Sequence, residues 1–365
     1  MNFIPPVAFR RLLGFAFVFV SASATAVPTY TVRPVGLGGS YGNTSAINDA
    51  GAVVGFSWTA GDLERHAFVH AGGNTTDLGT LGGNFSRARG INNLGQVVGS
   101  SRTSQGSELR GFLVDGASMA ALPTPGVGST ASGINDSGAI VGSFWTEVQW
   151  QSLAYVYQAG TVQSLGTLGG SGSGASAINN VGDVVGSSSL AGDQEVHAFL
   201  YRNGLMQDLG TLGGNGSWAS DLNEAGQVVG SSLLSDGATL RAFLYSDGVM
   251  TDLGSMFGGD STASGINNRG QIVGYSGRPD FRTGGGFLHE NGITYDLNTL
   301  LDSEGWYIDS ANAINDRGDI AGSGCYRDYC GGVLLVANHP VSEPGGTLLL
   351  GLGVVAFLGR RRSRA

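Results

Sequence analysis

The sequence predicts an all-β fold, a seven-bladed β-propeller of four-stranded repeats, and three observations predict it. The first is a recurring stretch, Gly90-Ile91-Asn92-Asn93-Leu94-Gly95-Gln96-Val97-Val98-Gly99 in its clearest form. Its copies begin at Ile47, Ile91, Ile134, Ile178, Leu222, Ile266 and Ile314, so successive starts lie 44, 43, 44, 44, 44 and 48 residues apart. A fixed period near that length is the signature of a blade-type repeat. The second is composition: 64 glycines among 365 residues, with short apolar runs punctuated by Gly, Asn, Asp and Ser, call for many tight turns. The third is that the two ends of the repeat region complement each other, as described below.

The second repeat serves as the pattern. Residues 86–91 are rich in small side chains and read as a first strand. Asn92-Asn93-Leu94-Gly95 reads as a turn, because Asn and Gly tolerate the positive φ that a tight hairpin needs. Residues 96–100 form a β-branched second strand, 101–109 a variable polar loop, and 110–114 a third strand. Asp115-Gly116 is another two-residue turn, and 118–122 form the fourth strand. The small first strand (Ala131-Ser132-Gly133 in another copy) suits a crowded inner position beside a central channel. Val97, Val98, Phe199 and Leu200 of the middle strands are expected to pack between neighbouring blades.

Tyr30-Thr31-Val32-Arg33-Pro34-Val35-Gly36-Leu37-Gly38-Gly39 looks like a fourth strand and its following loop, yet no blade precedes it. The last repeat stops after its third strand, Val333-Leu334-Leu335-Val336. The N-terminal strand is therefore expected to complete the last blade, closing the ring and leaving no open sheet edge. A linear solenoid is less suitable, since it would want polar caps at its ends.

Residues 1–26 read as a signal peptide: Arg10-Arg11, an apolar run at 12–20, then Ala24-Thr25-Ala26 as a small-residue cleavage site. Residues 27–338 hold the repeats. Residues 339–365 change character, with a turn-prone linker, an apolar run at 347–358 and a terminal arginine cluster. That run is shorter than the roughly 20 residues of an ordinary span, though a tilted anchor with arginines on the cytoplasmic side is compatible with it. Export permits a disulfide between the only cysteines, Cys325 and Cys330, bridging a loop. There is no lysine, the formal net charge is −9, and six of the 19 arginines lie in the terminal segments. An acidic body without a basic stripe argues against nucleic acid as a partner.

Ser342-Glu343-Pro344, the apolar segment and the arginine cluster together resemble the PEP-CTERM sorting signal of Gram-negative bacteria, with the first proline of the motif replaced by Ser342. This resemblance implies recognition by a membrane exosortase and delivery to the cell surface or an extracellular polysaccharide matrix. His66-Ala67-Phe68 and His197-Ala198-Phe199, with the companion motif Asp-Leu-Gly-Thr-Leu-Gly-Gly at Asp77 and Asp208, resemble HAF-repeat extracellular proteins. That family adds location and architecture and no reaction.

Candidate chemistry is sparse. His66 and His197 align with Arg110, Arg241 and Gly285, so a structural role at an inter-strand position is expected. The ring of Asn48, Asn92, Asn135, Asn179, Asn223, Asn267 and Asn315 reads as turn formation through side-chain bonds to backbone. Gly38-Gly39-Ser40-Tyr41-Gly42 lacks the strand-to-helix setting of a nucleophile elbow. No cofactor or metal constellation stands out. The variable loops gather aromatic and charged residues, and Trp58, Arg65, Trp145, Trp150, Trp218, Arg278, Phe281, Arg282, Tyr326 and Tyr329 form the candidate ligand face. The expected function is an exported, non-enzymatic module binding an extracellular polysaccharide or envelope protein. The alternatives are a polysaccharide lyase or hydrolase, which needs carboxylates converging within roughly 5–10 Å, and a purely structural matrix component.

Overall fold

The computed structural model describes residues 28–338, except 105, 107, 148–150 and 280–283. They belong to one compact unit, Pro28–Val341; the second unit comprises Met1–Val27 and Ser342–Ala365 and lies outside the described residues. The described chain is all-β: 28 strands and one 3-10 turn at Leu297–Thr299.

Each repeat is an antiparallel meander of four strands. In the second repeat these are Gly82–Ile91 (inner), Val97–Thr103, Leu109–Asp115 and Ser118–Ala121 (outer), paired in that order. The inner strand starts four residues earlier than the sequence suggests, because Gly82 already pairs with Thr103. Repeats 1 and 2 share one eight-stranded sheet, as do repeats 4 and 5. The join in each is a single parallel bridge from a third strand to the next inner strand, Arg65 to Phe85 and Val196 to Gly216. The N-terminal strand Thr29–Val35 pairs antiparallel with Tyr329–Asn338, from Thr29↔Asn338 to Val35↔Gly332, and so fills the fourth place of the last repeat.

Every inner strand carries a register shift just before its Asn-containing turn. In the second repeat Ala88 opposes Gly99 and Gly90 opposes Val98, so Arg89 has no opposite number. Such a bulge re-aims the extra side chain out of the pleat. The invariant glycine of the next strand has a packing cause. A Cβ on Gly99 would lie 2.0 Å from the Arg87 carbonyl oxygen and 2.8 Å from the Phe112 ring. The backbones touch there, and no side chain fits.

The core is a series of clusters shared between neighbouring repeats. Val54 and Ala67 pack with Ala88, Val97, Phe112 and Val114, and Val229 and Ala242 with Ala263, Ile272 and Phe287. Val35, Ala321 and Leu334 pack in the same way on Val53 and Phe68, which brings the last repeat against the first. Phe68, Phe112, Phe199 and Phe243 are fully buried, and each such ring contributes about 2–3 kcal/mol of apolar transfer.

Candidate functional site

The Asn-rich turns form two rings of hydrogen bonds. Asn48 Nδ2 donates to the Asn92 carbonyl oxygen (3.1 Å), and the series continues through Asn135, Asn179, Asn223, Asn267 and Asn315, whose Nδ2 donates back to Asn48 O (3.0 Å). The Oδ1 atoms meanwhile accept from their own turns, as from Ala52 N and Asp183 N (2.9 Å each). The sequence reading captured the turn bond and missed the bond to the next repeat. One residue on, backbone N–H groups bond side chains of the next repeat through Asp49, Asn93, Asp136, Asn180, Glu224, Asn268 and Asp316, ending at Asp316 N to Asp49 Oδ1 (3.1 Å). The acidic side chains at this mouth are thus engaged as acceptors for neighbouring backbone.

The HAF and Asp-Leu-Gly motifs are staples as well. His66 Nδ1 meets the Asp77 carboxylate at 2.8 Å and Nε2 meets Glu64 at 2.9 Å; His197 meets Asp208 at 2.9 Å. Asp77 also accepts from Gly79 N (2.7 Å), while the Ser86 hydroxyl accepts from Ala67 N (2.7 Å) and donates to Gly79 O. Burial lowers the His66 pKa, but the bonds to Asp77 and Glu64 outweigh it and the ring titrates above its ordinary value. Where the chain has arginine instead, the side chain holds the following loop: Arg110 donates to Gly126 O (3.2 Å) and Arg241 to Gly259 O (3.0 Å).

On the candidate ligand face, contacts fall into three groups. Trp58 lies within a strand, next to its last residue Thr59, rather than in a loop. With Leu63, Arg65, Asn84, Phe85, Arg102 and Leu109 it lines a surface cleft of about 420 Å³. The bridge between Arg65 and Phe85 sets the stacking here: the Arg65 guanidinium lies 4.2 Å from the Phe85 ring centre and 4.8 Å from that of Phe56. Arg87 covers Phe56 at 5.2 Å and Arg102 lies 5.8 Å from Phe85. Cations and aromatic rings therefore alternate from Arg102 inward to Arg87. A second group sets Arg278 over Phe257 at 4.6 Å. In the third, Trp306 stacks on Tyr326 (5.3 Å) and meets Tyr329 edge-on (6.0 Å), beside the Cys325–Cys330 disulfide, which ties the ends of a two-residue hairpin turn. Trp145 ends a strand opposite Gly128. Trp218, expected in a loop, lies on an inner strand at the register of Arg87 and is 39% exposed. Trp150, Phe281, Arg282 and the sorting motif Ser342, Glu343 and Pro344 lie outside the described residues. Among the described residues no helix is long and apolar enough to cross a membrane.

Sequence reasoning missed Arg87, Arg89, Arg102, Phe56 and Phe85. Arg87 and Arg89 line a second cavity of about 400 Å³ with Asn43, Thr44, Ser45, Ser132, Ser176, Ser220, Ser264 and Asn312, residues drawn from the inner strands of all seven repeats. Except for Arg87, Asn43 and Thr44, these are the bulged residues of their strands. The available signal was that Arg89 interrupts a position held in the other repeats by Ser or Asn.

No family model matches the sequence, and no curated protein does. Among solved structures the chain is similar to the β-propeller domain of the Trilobed protease from Pyrococcus furiosus (11% identity, 72% of this chain and 86% of that one, TM-score 0.49). It is also similar to a gluconolactonase from Xanthomonas campestris (13% identity, 85% and 95% covered, TM-score 0.44) and to an acylaminoacyl peptidase from Pyrococcus horikoshii (10% identity, 83% and 50% covered, TM-score 0.48).

Proposed function

We propose that the repeat region is a seven-bladed β-propeller closed by the strand Thr29–Val35, exported, and serving at the cell surface or in a matrix as a non-enzymatic module that binds glycan. The architecture is supported by cavities lined by every repeat, by hydrogen bonds that run from the last repeat back to the first, and by the pairing of the N-terminal strand with the last. The tail at 339–365 is proposed to be its sorting signal, to be read by an exosortase-type enzyme; detection of the tail in membrane fractions but not on the surface-delivered protein tests this.

One observation carries the binding reading. The cleft of Trp58, Phe85, Arg65 and Arg102 offers aromatic faces beside guanidinium donors, and no carboxylate lines it. Aromatic faces stack on the apolar face of a sugar ring while the guanidiniums reach its oxygens. Acid–base glycoside chemistry needs a facing carboxyl pair, and the acidic residues at the opposite turns are held in bonds to backbone. Glycan-array screening of residues 27–338, beside Trp58→Ala and Arg102→Ala, tests the reading. Saturable binding reduced at least tenfold in both variants is expected. Binding left intact in both, or release of soluble sugar by the wild type, would overturn it.

A further inference from the structure

The cavity shared by the seven inner strands contains two guanidiniums without an anion. Arg87 and Arg89 make no hydrogen bond or ion pair to any carboxylate among the described residues, and no acidic residue is among those lining the cavity. Elsewhere the buried carboxylates of Asp183 and Asp319 have arginine partners: Arg202 bonds Asp183 twice (2.6 and 2.9 Å) and Arg317 bonds Asp319 (2.6 Å). Two further polar atoms point the same way. Arg87 Nε and Ser45 Oγ are both buried with no hydrogen-bond partner, an arrangement native proteins rarely leave unfilled.

The charge environment is unbalanced as well. Burial, reinforced by the charges of Arg89 and Arg65, lowers the Arg87 pKa to about 10, and burial lowers that of Arg89. Arg87 is half-buried and Arg89 exposed at the cavity, and like charges beside one another favour the approach of a counter-charge. Packing does not require them either. At the register of Arg89 the other repeats carry Ser45, Ser132, Ser176, Ser220, Ser264 and Asn312, and at that of Arg87 two carry Thr130 and Thr262.

We infer that this central cavity is an oxyanion site, in which Arg87 and Arg89 receive a carboxylate, sulfate or phosphate group and the ring of serine hydroxyls supplies further donors. The guanidinium fork matches such groups in geometry as well as charge. Arg87 and Arg65 both lie against the buried ring of Phe56, which stands between this cavity and the surface cleft. The site recognises the oxyanion, free or carried on a saccharide.

The test uses the full repeat region and two substitutions that copy other repeats, Arg87→Thr and Arg89→Ser, singly and together. Calorimetry and thermal melts are run with sodium sulfate against sodium chloride at matched ionic strength, then with an oligouronate against a neutral oligosaccharide of equal length. Wild type is expected to bind sulfate in excess of the chloride control, with Kd rising roughly tenfold to a hundredfold in each single variant, the range for a charge-assisted bond. Oligouronate binding tighter than sulfate, and lost in the double variant, assigns the anion to a saccharide. Sulfate binding without oligouronate binding assigns a free anion and leaves the inference standing while weakening the glycan reading. If wild type shows no response beyond chloride, or a folded double variant binds as wild type does, the inference is wrong.

Discussion

The asparagine ring permits a quantitative test of how the repeats hold together. Asn179 is 4% exposed; its Nδ2 donates to Asn223 O of the next repeat at 3.2 Å and its Oδ1 accepts from Asp183 N at 2.9 Å. Asn179→Ala removes both bonds and leaves the buried Asp183 N–H unpaired, at about 1–3 kcal/mol, while the Asn223 carbonyl keeps its bond from Gly226 N (3.0 Å). A loss of about 2 kcal/mol is therefore expected. For a domain of this size that lowers Tm by about 3 °C. Asn179→Asp separates the two roles: the acceptor to Asp183 N survives, while an oxygen now faces the Asn223 carbonyl. It is expected to destabilise at least as much as alanine at neutral pH. Differential scanning calorimetry measures both, with the exposed Ser118→Ala as a control, and hydrogen exchange at the Asp183 amide reports the turn separately. A shift in Asn179→Ala no larger than that of Ser118→Ala would refute the argument that these bonds join the repeats.

Three further outcomes follow from the geometry. Gly99→Ala, placing a Cβ 2.0 Å from the Arg87 carbonyl oxygen and 2.8 Å from a buried ring, is expected to abolish soluble folded protein, as measured by yield and near-ultraviolet dichroism. Asp221 accepts from Leu222 N and Ile266 N at a position where other repeats have Ala or Gly, and burial raises its pKa to about 6 despite those bonds. Its folded pKa lies above the unfolded value of 3.8, so stability from this group is full below pH ~4 and lost through pH ~6, by at most about 3 kcal/mol; Asp221→Ala is expected to flatten that part of a Tm-against-pH curve. His66, raised by Asp77 and Glu64 against the lowering effect of burial, stabilises most at pH below its ordinary value and less as pH rises through the raised one; NMR titration of its ring, compared with Asp77→Asn, checks both direction and partner.

The repeat period, the meander and the N-terminal strand's partner were legible in the sequence because each is a local or periodic property. A turn needs Asn and Gly at fixed places, and alternation needs only period two. The same local logic gave Asn179 its turn bond and Cys325 a partner five residues away. It divided the ligand face less well, since Trp58, Arg278 and Tyr326 stand in separate groups, each completed by Phe85, Phe257 or Trp306 from other segments.

What the sequence alone determined is therefore the unit and its number. What only the tertiary structure decided is which residue of one repeat meets which of the next. The Arg65–Phe85 bridge, the bulge that turns Arg89 inward and the contact of Gly99 with the backbone beside it are products of register between segments. A bulge leaves the hydrophobic pattern of its strand nearly unchanged while redirecting one side chain. For that reason Arg89 comes to line, beside Arg87, the cavity shared by all seven repeats.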